Sequence, residues 1–123
     1  MRSAVWRDRG QATVEFALAL PLVAVLVLGI VQLVVVARDQ LAVELAAREG
    51  ARAAALAAAP GPAASAAAKR AVDLAPIEVS VSESDGRVTV TVRHRSATNV
   101  PLIGLAIGDV DVAATVTMRR EPP

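Results

Sequence analysis

The chain has 123 residues, a net charge of +1, 54% hydrophobic residues and only 2% aromatic ones. A near-neutral balance without a basic, aromatic-studded stripe argues against nucleic-acid binding. The lack of cysteine excludes a disulfide framework and thiolate chemistry, and one histidine without clustered carboxylates leaves little for a metal site. Alanine and valine supply most of the apolar content, so any core buries little area per side chain. Beside an apolar helix there is room for at most one small domain, of doubtful independent stability.

Residues 1–10, MRSAVWRDRG, form a short basic segment in which Arg2, Arg7 and Arg9 outweigh Asp8. From Phe16 to Ala37 there is no charged side chain, and Gln32 is the strongly polar exception. These 22 residues make a helix of roughly 33 Å, enough for a bilayer core of about 30 Å. Positive charge beside an apolar helix stays in the cytoplasm. The far flank, residues 38–52, balances three arginines against Asp39, Glu44 and Glu49, so the N-terminus is expected inside and the C-terminus outside. An ordinary cleaved signal fits poorly, because its apolar region runs about 7–15 residues and ends in a small-residue cleavage site.

Within the apolar run, Pro21 lacks an N–H and clashes with the carbonyl of Ala17, which predicts a kink or local unwinding. Gly29 offers a thin place where another backbone can approach, and Gln32 needs an amide partner across a helix interface. Both are read as transmembrane packing positions. Residues 38–59 continue the helix beyond the membrane on strong helix formers, with Glu44 and Arg48 spaced to pair. Gly50 costs about 1 kcal/mol against alanine unless another chain packs there.

Pro60-Gly61-Pro62 is expected to stop this helix, and Ala63 to Leu74 to form a second, short one ended by Pro76. From Ile77 the period changes to two. Ile77, Val79 and Val81 alternate with polar residues, as do Val88, Val90 and Val92, around an Asp85-Gly86 turn signal. This reads as a β-hairpin with one apolar and one wet face. Residues 99–109 read as a loop rich in apolar side chains, which could cap the sheet, touch lipid headgroups or meet another subunit. Residues 110–119 alternate again as a third strand, and three strands need a helical cover. The tail, 120–123, reads as disordered.

The expected architecture is therefore α+β. A basic leader (1–10) precedes a transmembrane helix (11–37) and its extension (38–59). A linker with a short helix (60–76) and a three-stranded antiparallel sheet (77–119) packed on the helix complete it.

Gly10 stands five residues before Glu15, the carboxylate at the mouth of the apolar run. A glycine, a glutamate as the fifth following residue and then an apolar helix resemble a type IV prepilin-type leader. GQATVEFALALPL followed by AAREGARAAA resembles the TadE-like family, pilin-like subunits of Flp/Tad-type pilus machinery. The resemblance covers the N-terminal half. It implies cleavage after Gly10 by a membrane prepilin peptidase, with Gln11 the first mature residue and the site of any N-methylation. It implies that Glu15, with Phe16 and Pro21, serves recognition and assembly. The implied partners are the membrane, the peptidase, other pilin-like subunits and the Tad membrane platform. The chain is longer than the major Flp pilins, carries Phe16 where they have tyrosine and has a folded C-terminal part, which favours a minor pilin or pseudopilin. A carboxylate there also has a physical use. Cleavage exposes an α-amino group on Gln11, and pairing with a neighbour's Glu15 makes two charges near lipid tolerable.

The alternative is an uncleaved single-pass anchor that presents the sheet as a binding module. An enzyme has little support. Ser80, Ser82 and Ser84 and a solvated strand-end His94 come without a nucleophile elbow, phosphate loop or metal spacing, and no cofactor is expected.

Overall fold

The computed structural model describes residues 3–122, with side chains from residue 8 onward. The leader's Met1 and Arg2, the side chain of Arg7, and Pro123 of the tail lie outside the described residues. The fold is α+β: a long N-terminal helix, a short second helix and a three-stranded antiparallel sheet.

Helix α1 (Ser3–Leu56) takes in the leader, the apolar run and the extension as one element. It passes Pro21 without a break in helical assignment, so the local unwinding anticipated there is not seen. Glu44 and Arg48 do approach one another, at 3.9 Å on the surface.

The helix ends at Leu56, before the Pro-Gly-Pro triplet. That triplet does not stop α1. It opens helix α2 (Pro60–Ala71). Proline is tolerated in a first helical turn, where its missing N–H has no intrahelical acceptor in any case. The second helix therefore starts and ends three residues earlier than its sequence pattern suggests, and Pro76 lies in the linker after it.

Strands β1 (Glu78–Ser84), β2 (Arg87–Ser96) and β3 (Val110–Arg119) lie in sequence order, each antiparallel to the next. The turn between β1 and β2 is Asp85-Gly86, with φ of 51° and 70°, the left-handed pair that a tight two-residue hairpin requires. Register sets Val79 opposite Val92, Val81 opposite Val90, and Val90 opposite Val116. On the other face Thr89 bonds Thr117 at 2.9 Å and Thr91 bonds Thr115 at 3.0 Å, a wet ladder.

The apolar face lies on α1. Val88, Val90 and Val92 are fully buried, as are Val43, Ala46, Ala47, Ala51 and Ala54 of α1 and Ala64 and Ala68 of α2. Among the described residues, no fully buried hydrophobic side chain is larger than valine. Such a core gains its contact from closeness rather than bulk. Gly50 marks a close approach between elements. A Cβ there would lie 3.2 Å from Val90 Cγ1 and 3.3 Å from the Ala64 carbonyl oxygen. The neighbour that accounts for this glycine is the same chain, not a second one.

Between β2 and β3 the apolar segment is not all loop. Ile103–Ile107 forms a short helix, α3, that packs beside α1. The expected disordered tail is held at its start. The Arg120 N–H donates to the Gly86 carbonyl at 2.8 Å, the Glu121 N–H donates to the Ala55 carbonyl at 3.1 Å, and the Arg120 guanidinium pairs with Glu83 at 2.6 Å.

Candidate assembly site and membrane segment

The sequence-predicted site residues all lie on α1, spread along its first 32 residues. Gly10, Gln11, Glu15 and Phe16 are exposed, and nothing lies within 4 Å of a Cβ built at Gly10. Gln11 donates from its amide to Glu15 Oε1 at 3.3 Å, one helical turn apart. Thr13 turns its hydroxyl back to the Arg9 carbonyl at 3.0 Å. Glu15 is thus the acidic end of a small polar turn, and Phe16, 69% exposed, begins the apolar surface.

That surface runs on unbroken. Leu18, Leu20, Leu22, Leu26, Ile30 and Leu33 all project outward. Only 6% of the helix's most apolar window is buried within the protein, whereas a core helix of a soluble domain would be mostly covered. A helix of this length and composition with its apolar side chains uncovered fits a bilayer, where every backbone group must be satisfied within the segment.

Gly29 is half-buried with open space beside it, and Pro21 is exposed. Gln32 behaves differently. It is 4% exposed, and its amide donates to Thr98 Oγ1 at 3.2 Å. Its partner is the loop after β2 of the same chain, rather than a neighbouring transmembrane helix. Thr98 in turn donates to the Gly108 carbonyl. The folded head therefore reaches down to the level of Gln32.

One group escaped the sequence reading. Asp39, just past the apolar run, accepts a hydrogen bond from the Ser96 hydroxyl at 2.5 Å. His94 lies beside it, with Nε2 3.9 Å from the same carboxylate oxygen. Its Nδ1 lies 2.7 Å from the Pro76 carbonyl, to which it must donate. The His94 side chain is 8% exposed, so it is an inward-facing strap rather than a solvated strand end. By register Ser80 pairs across from Thr91 on the opposite, wet face, so the β1 serines and His94 do not meet.

The family model of TadE-like proteins matches residues 10–52. Over this segment the chain is similar to TadE-like proteins. The match begins at Gly10 and stays within α1, covering about a third of the chain and none of the head. No curated protein and no solved structure matches the chain. The TadE-like family is a pilus-associated, structural one, and the exposed apolar helix agrees with membrane association.

Proposed function

We propose that the protein is a pilin-like assembly subunit, inserted in the bacterial cytoplasmic membrane by α1 with its head outside. A prepilin peptidase cuts it after Gly10, and it then joins or primes a Tad-type filament. The observation that carries this reading is the pairing of an exposed Glu15 with Gln11, the residue that follows the cut, on a TadE-like segment.

The bond to be cut lies inside a continuous helix. A peptidase needs it extended, so the first turns must open. Glycine in a helix interior lowers the cost of that opening by about 1 kcal/mol relative to alanine. After the cut, Gln11 carries a cationic α-amino group beside its own Glu15. In a bundle, the amine of one subunit and the Glu15 of the next neutralise one another. The pair sets axial register, while the apolar helices supply contact area.

Two measurements test the proposal. Mass spectrometry of the protein from cells with the cognate peptidase is expected to find a chain starting at Gln11. A chain still starting at Met1 overturns it. Glu15→Ala is expected to abolish filament assembly while membrane insertion persists. Unchanged assembly would instead favour an uncleaved anchor that displays the sheet.

A further inference from the structure

Residues 96–108 carry no charge, and three large apolar side chains on this stretch are directed outward. Leu105 is 91% exposed, and Leu102 and Ile107 are each 61% exposed, while Ile103 turns inward. This knob stands at the end of the head nearest the apolar run of α1, joined to it by the Gln32–Thr98 bond.

We propose that the knob is inserted in the outer boundary of the bilayer that α1 crosses, as a second, monotopic contact with lipid. This rests on the reading of α1 as membrane-spanning. From Phe16 to Gln32 the helix rises about 24 Å, so a hydrocarbon layer some 30 Å thick, entered at Phe16, extends roughly 6 Å beyond Gln32. Thr98 is bonded to Gln32, so the loop that carries the knob starts within that depth. The same depth, about 5–10 Å, is where interfacial apolar helices settle.

Two further features fit lipid rather than water. Part of the knob's backbone is bonded within it, which lowers the cost of contact with lipid. The Ile103 N–H donates to the Pro101 carbonyl at 2.8 Å, Gly104 to Val100 at 3.0 Å, and Gly108 to Gly104 at 3.2 Å. Charge is confined to the two ends of the stretch, where Arg95 and Asp111 pair at 3.4 Å and the Asp109 carboxylate, accepting from the Thr98 N–H at 3.3 Å, marks the polar edge of the knob. The Gln32–Thr98 bond ties the stretch that carries these leucines to the apolar run of α1, and Asp39 follows Gln32 by about two helical turns.

The chain has no native cysteine, so single labels can be placed on the full-length protein in phosphatidylcholine–phosphatidylglycerol vesicles. Leu105→Cys, Leu26→Cys and Ser82→Cys each carry an environment-sensitive fluorophore. Lipids with a nitroxide near the headgroup or near the chain end serve as quenchers. The Leu105 label is expected to lose emission about twofold, and more to the shallow quencher than to the deep one. The Leu26 label should favour the deep quencher, and the Ser82 label should respond to neither. A quenched Leu26 label with an unquenched Leu105 label overturns the knob's insertion and leaves the span intact. If neither is quenched, the span fails and the knob with it. A blue-shifted but unquenched Leu105 label means that protein covers the knob, which also overturns the proposal.

Discussion

Asp39, Ser96 and His94 show how polar side chains can fasten a thin core. The Asp39 carboxylate is held under β2, its side chain 13% exposed, and Ser96 supplies a hydrogen bond at 2.5 Å. Ser96→Ala removes that donor and leaves a largely buried acceptor poorly satisfied. The expected cost is about 1–3 kcal/mol, read as a lower urea midpoint for the full chain in detergent micelles, followed by strand circular dichroism. An unchanged midpoint would mean that water replaces the serine at no cost. The alternation of β2 already carries His94 and Ser96 to the face of Val88, Val90 and Val92. The strand pattern thus held their direction. What it could not hold was the partner, a carboxylate on a helix more than fifty residues earlier in the chain, without which a histidine at a strand end reads as solvated.

Elements with a local cause were legible. The Asp85-Gly86 turn needs two left-handed residues and has a pair that tolerates them, so the hairpin followed from the sequence. The Pro-Gly-Pro triplet was misread because proline both ends and begins helices, and only the packing of α2 on α1 decides between the two. That packing is close at Gly50, where β2, α2 and α1 converge. Alanine there would gain helix propensity but meet Val90 and a backbone carbonyl at 3.2 and 3.3 Å. Valine adds two further methyl groups with no room for them. Gly50→Val is expected to destabilise the head by about 1–3 kcal/mol through overpacking, again as a shift in urea midpoint. A midpoint equal to that of the parent would show that α2 moves away freely and that the helices do not depend on this contact.

The whole molecule is a head folded onto the outer part of its own anchor. The apolar run, its length and its flanks were plain in the sequence, because lipid imposes a pattern that no distant contact needs to complete. The seating of the head was not, since it depends on Gln32 meeting Thr98 across 66 positions of chain. With span and head so joined, orientation becomes a property of the whole molecule. The leader is net basic while residues 38–52 are balanced, so the charge asymmetry is expected to keep the leader in the cytoplasm. In cells without the peptidase, a membrane-impermeant maleimide is expected to label Ser82→Cys from outside. Ser3→Cys should label only after permeabilisation. Changing Arg7 and Arg9 to glutamate should lower the outside labelling of Ser82→Cys, because the asymmetry that sets topology is then reversed. Labelling of Ser3→Cys in intact cells would place the leader outside. The bond after Gly10 would then face away from the cytoplasmic side on which the reading of α1 places it.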